Sequence, residues 1–186
     1  MSLKKLSDED VRIVRSLREA SVLENVDTHQ IAAPNGFMAM VCSDCDHSED
    51  KFQFLCRICS TPRPRVHFFA LNSGGMLLSP SSPTREGNEE DIFTRHVKNT
   101  MAMKNMDLLI LKCHAPCGAA YAHSLNFYDV LRHAFEGKRY VKSKIPELRV
   151  AVFVQVYHAE DERRRTYFVE GKKWLKYAKE NSLNVG

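Results

Sequence analysis

At 186 residues the chain is of single-domain length, since domains commonly take about 100 to 200 residues. Its 44% hydrophobic and 27% charged residues are ordinary globular composition, which excludes a disordered, collagen-like or coiled-coil chain. The formal surplus of +4 is small and scattered, so no nucleic-acid partner is expected from it.

No window approaches the length of uninterrupted apolar sequence that a spanning helix needs, and no membrane association is expected. The first ten residues are polar and lack the apolar stretch of a signal peptide, which predicts a cytoplasmic location. All six cysteines, Cys42, Cys45, Cys56, Cys59, Cys113 and Cys117, fall in the middle of the chain beside acids and histidines. In a reducing compartment such clustering points to metal ligands ahead of disulfides.

Ser7, followed by Asp8, Glu9 and Asp10, predicts a helix start, because its side-chain oxygen caps free amides and the acids suit the positive end of the dipole. Val11, Val14, Leu17 and Ala20 recur at helical spacing, so the helix should run from Ser7 to about Glu24 within an N-terminal arm over residues 1–30. After a turn at Pro34, Asn35 and Gly36, the apolar run from Phe37 to Val41 reads as a strand buried on both faces, which delivers Cys42. Residues 43–65 are polar and carry cysteines and prolines, a loop with at most a short helix between Phe52 and Cys59.

Residues 66–71 form the second expected strand. It runs into Asn72, Ser73, Gly74 and Gly75, where paired glycines allow close approaches that side chains forbid. A surface loop over 79–84 precedes a helix capped by Asn88, with Phe93, Val97 and Met101 as its apolar stripe. The third strand, residues 108–111, ends at His114 and Cys117. A helix begun by Asn126 and closed by Gly137 should follow. Residues 150–157 are the clearest strand, and 166–169 pair with it across a charged turn that contains Arg163, Arg164 and Arg165. A last helix carries Trp174, Leu175 and Ala178.

Three buried strands separated by helix-length segments predict an α/β domain over residues 1–186: a mainly parallel central sheet flanked by helices, with a late antiparallel strand or hairpin. Sites in such sheets form outside the carboxyl ends of the strands. Here the first three strands end at Cys42, at Asn72 to Gly75, and at His114 with Cys117.

Cys42 and Asp44 lie two apart, so an extended strand exit can point both to one side; His114 and Cys117 are three apart, one helical turn. Two thiolates and an imidazole suit zinc and leave a fourth position for water, substrate or Asp44. A second reading takes Cys42, Cys45, Cys56 and Cys59 as a four-cysteine zinc ribbon on a binding module, which leaves His114 and Cys117 unexplained.

Cys42-Ser43-Asp44, Asn72-Ser73-Gly74-Gly75 and His114-Ala115-Pro116-Cys117-Gly118-Ala119 resemble, in that order, the Cys-Ser-Asp-Ser-Arg, Arg-Asn-Ala-Gly and His-x-x-Cys-Gly-Ala motifs of the β-class carbonic anhydrases. The likeness covers roughly residues 30 to 170. It implies zinc on Cys42, His114 and Cys117, with Asp44 as fourth ligand of a closed state or as the catalytic group that positions the nucleophile. It further implies Gly74, Gly75 and Gly118 on the substrate, carbon dioxide or bicarbonate as that substrate, and a homodimer or dimer of dimers built through the N-terminal helix and a sheet edge. Zinc would lower the pKa of its water towards ~7 for the reversible hydration of carbon dioxide.

The chain departs from that pattern at two places. Asp46 stands where the family has the arginine that partners the aspartate, and Leu71 replaces the basic residue of Arg-Asn-Ala-Gly. Without the arginine, Asp44 has less reason to leave the metal, so activity is expected to be weak or lost, the protein then being a non-catalytic zinc-binding homologue. Arg57, Arg63 or Arg65 could compensate. Cys45, His47, Cys56 and Cys59 have spacings that could hold a second zinc, and Cys113 reads as core.

Overall fold

A computed structural model of the chain describes residues 5–26, 31–43, 48–59, 64–160 and 162–184, with the backbone alone over 48–52. Helix α1, Asp8–Glu19, begins as expected, with Ser7 Oγ accepting the Asp10 N–H at 3.0 Å. Its apolar stripe is Ile13, Val14 and Leu17, all buried, while Val11 is exposed. The helix stops five residues short of Glu24. Ser21 takes a left-handed φ of 55°, and strand β1, Leu23–Asn25, pairs antiparallel with a strand near the carboxyl end of the chain. The segment expected to be an arm is thus packed on its own sheet.

Strand β2, Phe37–Cys42, and strand β4, Leu108–Ala115, are buried along their whole length. Helix α2, Ser48–Arg57, and strand β3, Val66–Leu71, lie between them in sequence. Strands β5, Arg149–His158, and β6, Arg163–Val169, complete a six-stranded sheet in the order β1-β6-β5-β4-β2-β3. β3, β2, β4 and β5 run parallel; β6 is antiparallel to both β5 and β1. The fold is α/β with a mixed, mostly parallel sheet flanked by helices.

Alternation along the strands divides the core. Met38, Met40 and Cys42 face the larger side with Leu109, Leu111 and Cys113, against α1, helix α3 (Glu89–Lys104), helix α5 (Phe127–Lys144) and helix α6 (Gly171–Glu180). Phe37, Ala39 and Val41 face the smaller side, where α2 contributes Phe54 and Leu55, joined by Ile58 just beyond it.

Several expectations change. β3 is an edge strand, with Phe68 40% and Leu71 44% exposed, rather than a third buried one. Asn88 stands at the N-cap of α3 without a side-chain bond; Glu89 instead accepts the Glu86 and Gly87 N–H groups. α5 does begin with a capping box between Asn126 and Asp129, but it passes through Gly137. A Cβ there would lie 2.9 Å from Leu78 Cβ, so this glycine serves close packing, not termination. Arg163, Arg164 and Arg165 belong to β6, since the turn before it is shorter than the charge run suggests.

Candidate metal centre

Parallel pairing of β2 with β4 brings two strand ends side by side, in a register that sets Val41 opposite Lys112. Cys42 ends β2, and His114 is the penultimate residue of β4. The chain then passes a cis Ala115–Pro116 bond to Cys117, the N-cap of helix α4, Gly118–Ala122. All three side chains are buried, and their ligand atoms lie within 4.8 Å of one another. Donors about 2.0 to 2.3 Å from one tetrahedral ion stand roughly 3.3 to 3.8 Å apart, so small side-chain adjustments close this trio on a single metal.

The electrostatics fit that reading. The Cys117 thiol is pushed far above its ordinary range, first by its hydrogen bond with Cys42 and then by burial. Both causes favour the neutral thiol of Cys117. Cys113 is pushed up to about 12 by burial and by Cys42, which makes it an inert core thiol as expected.

The turn after β3 fixes the position of Cys42. Ser73 and Gly74 take left-handed φ values of 71° and 53°. A Cβ on Gly74 would lie 2.5 Å from Cys42 N and 2.9 Å from the Lys112 carbonyl oxygen; one on Gly75 would lie 3.1 Å from Leu111 Cβ. Both glycines are buried against the two strands that carry the donors. Ser43 ties the exit of β2 to the same turn, its N–H donating to the Leu71 carbonyl at 3.0 Å and its Oγ to Asn72 Oδ1 at 2.8 Å. Gly118 differs, being exposed with nothing within 4 Å of the Cβ it lacks.

A cavity of about 210 Å³ adjoins the centre, with His114, Pro116, Cys117 and Tyr121 on one side and Leu6 and Asp10 on the other. Asp10 Oδ1 accepts the Phe127 N–H at 2.7 Å, which fixes the start of α1 to this wall. The space suits a molecule of a few atoms.

Two features were missed in the sequence. Lys112, which looked like the end of a strand, is 2% exposed, and by alternation it shares the α2 face with His114. Its Nζ donates to Gln155 Oε1 at 3.3 Å and sits 4.9 Å from the centre of the Phe54 ring. The second is a buried network in which Ser79 Oγ lies 2.9 Å from His133 Nδ1 and donates to Glu136 Oε2 at 2.6 Å. Ser79 and His133 are fully buried, so this serine–histidine–acid set joins a loop to α5 and offers no nucleophile to a substrate.

Asp44, Cys45, Asp46 and His47 lie outside the described residues, as does Arg63. Cys56 is half-buried on α2 and Cys59 is buried just beyond it; burial, and then Cys56, push the Cys59 thiol up to about 11. Among the described residues, Cys42, His114 and Cys117 form the only group of three or more potential ligands. Arg65 lies at the wrong end for compensation, since its carbonyl accepts the N–H of Phe37, where β2 starts. Arg57 lines a cleft beside β1 and β6 instead. Among the described residues no helix is long and apolar enough to cross a membrane.

No protein-family model matches the chain, and no curated protein matches it.

Proposed function

We propose that the chain is a zinc protein of the β-carbonic-anhydrase type, acting on carbon dioxide and bicarbonate or a similarly small substrate, with its hydration activity weak or lost. The observation that carries this reading is the convergence of Cys42, His114 and Cys117 at one sheet edge, beside a small cavity. Two sulfurs and one nitrogen are a donor set that favours zinc over harder cations. A zinc ion held there would supply Lewis acidity and lower the pKa of a water in the fourth position.

The chain's own residues supply the rest. The cavity wall of Pro116, Tyr121 and Leu6 limits substrate size, and Gly118 lies outside that lining. Lys112 is a buried cation on the strand that carries His114, held by Gln155 and the Phe54 ring on the α2 face. Asp46 in place of the family's arginine favours the non-catalytic variant of this reading, in which Asp44 stays as the fourth ligand. Assembly as a homodimer or dimer of dimers belongs to the proposal through the resemblance alone, and light scattering at micromolar protein tests it.

Elemental analysis and a hydration assay test the function. We expect at least one zinc per chain, lost in Cys42→Ala and in Cys117→Ala, and weak hydration that rises in Asp46→Arg by about tenfold, or about 1.4 kcal/mol of barrier. Zinc retained in both cysteine variants but lost in Cys56→Ala would assign the metal to a ribbon of Cys42, Cys45, Cys56 and Cys59. Family-like hydration by the unaltered chain would show that Asp46 does not limit the reaction.

A further inference from the structure

At the β1 end of the sheet, α1 and β6 flank an open cleft of about 1130 Å³. Six arginines line it: Arg15 and Arg18 from α1, Arg57 from the end of α2, and Arg163, Arg164 and Arg165 from β6. Two carboxylates in the described lining, Glu19 and Glu162, oppose them. The surplus of four equals that of the whole chain, so the rest of the molecule is balanced in formal charge. The chain holds 13 lysines and 14 arginines, yet every lysine lies outside the described lining of the cleft. A guanidinium presents a planar fork of donors that grips phosphate oxygens in pairs, which an ammonium cannot do.

Four of the six, on α1 and on one face of β6, converge. Arg15 and Arg18, three apart, share one face of α1. Arg163 and Arg165 alternate along β6 onto the same side as Tyr167, over whose ring Arg18 sits at 5.8 Å. Below them His158 is buried, with its Nε2 3.0 Å from the Tyr167 hydroxyl. Burial pushes this imidazole below its usual range; Glu160 pulls it up, while Arg165 and Arg18 push it down, so charge from both arms reaches one place. Neighbouring guanidiniums repel one another unless an anion lies between them.

We propose that this cleft binds a compact oligophosphate, the di- or triphosphate group of a nucleotide or an inorganic phosphate chain, at a site apart from the metal centre. Spacings of about 5 to 7 Å between arginines three apart on a helix or two apart on a strand match several charges within one small ligand. Tyr167 is the sole aromatic in the described lining, and it is 4% exposed with Arg18 across its ring. It leaves no open platform for stacking bases, so the phosphate chain itself is the group recognised.

Calorimetric titration of the full chain at low salt tests this with sodium tripolyphosphate, ATP, orthophosphate, a glutamate oligopeptide and an oligothymidylate as probes. Tripolyphosphate and ATP should both bind more tightly than orthophosphate, the tighter of the two identifying the inorganic or the nucleotide source. The exposed pair Arg15→Glu/Arg165→Glu should weaken binding about tenfold or more. The equally exposed control pair Lys98→Glu/Lys172→Glu, with the same change in net charge, should weaken it less than about twofold. Equal weakening by both pairs would overturn the proposal, as would peptide binding that matches tripolyphosphate. Oligothymidylate binding tighter than both phosphates would replace it with a nucleic-acid surface. Heat from chelation at the metal centre would persist in the arginine variant and so counts against the cleft.

Discussion

Gly74 gives the sharpest test of how the fold holds the proposed metal centre. A Gly74→Ala side chain would enter at φ 53° with its Cβ 2.5 Å from Cys42 N, 2.9 Å from the Lys112 carbonyl oxygen and 2.9 Å from the Val41 carbonyl carbon. The left-handed backbone alone costs an L-residue about 1 to 2 kcal/mol. The contacts are with backbone atoms of two buried strands, which cannot swing aside as a side chain could, and such overpacking costs about 1 to 3 kcal/mol more. The sum, about 2 to 5 kcal/mol, is a large share of the roughly 5 to 15 kcal/mol that hold a domain folded. Any relief must come from moving Cys42, so the loss should appear in zinc content as well as in stability. Denaturant unfolding with elemental analysis measures both. Gly118→Ala is the matched control: its Cβ meets nothing within 4 Å at the start of a helix, so its stability should stay within about 0.5 kcal/mol of the parent or rise slightly. A Gly74→Ala protein that unfolds within about 1 kcal/mol of the parent and keeps its full zinc would refute this account of the turn.

Because the Cys117 thiol is held protonated by its hydrogen bond with Cys42 and by burial, zinc must displace its proton, and affinity should rise with pH by about 1.4 kcal/mol per unit for that proton. Titrations in buffers of different ionisation enthalpy count the protons released, and an uptake independent of pH would remove Cys117 from the ligand set.

The parts of the fold that could be read from sequence were those in which one signal pointed one way. Ser7 before three acids caps α1, and the unbroken apolar run from Phe37 to Val41 is a strand with both faces covered. The donor trio was legible for a topological reason: Cys42 and His114 close two strands, and parallel strands end on the same edge. β1 escaped because three residues are too few to show a period, and Val22 and Leu23 continue a pattern that looks helical until Ser21 turns left-handed. Gly137 was misread because a glycine that lets α5 approach Leu78 looks, in sequence, like one that ends a helix. The three arginines of β6 read as a solvated turn because local charge says nothing of the arginines that α1 sets opposite them.

Charge balance joins these observations and limits what the metal centre can do. Zinc with two thiolates is formally neutral, and Asp44 and Asp46 follow Cys42 within four residues, so the sequence alone suggests an excess of negative charge there. Lys112 is a buried cation on the strand of His114, whereas the resemblance would put an arginine in the loop after Cys42. A loop arginine can swing between a carboxylate and solvent, and so can draw an aspartate off the metal. Lys112 cannot: it is anchored in a strand buried along its whole length, with Gln155 on its ammonium and the Phe54 ring beside it. A fixed cation favours neither an open nor a closed fourth position, and a group that does not discriminate between two states shifts no equilibrium between them. With Asp46 at the position of the family's arginine, the proposed site lacks that switching group at its usual place, which is the physical reason for expecting metal binding together with weak hydration.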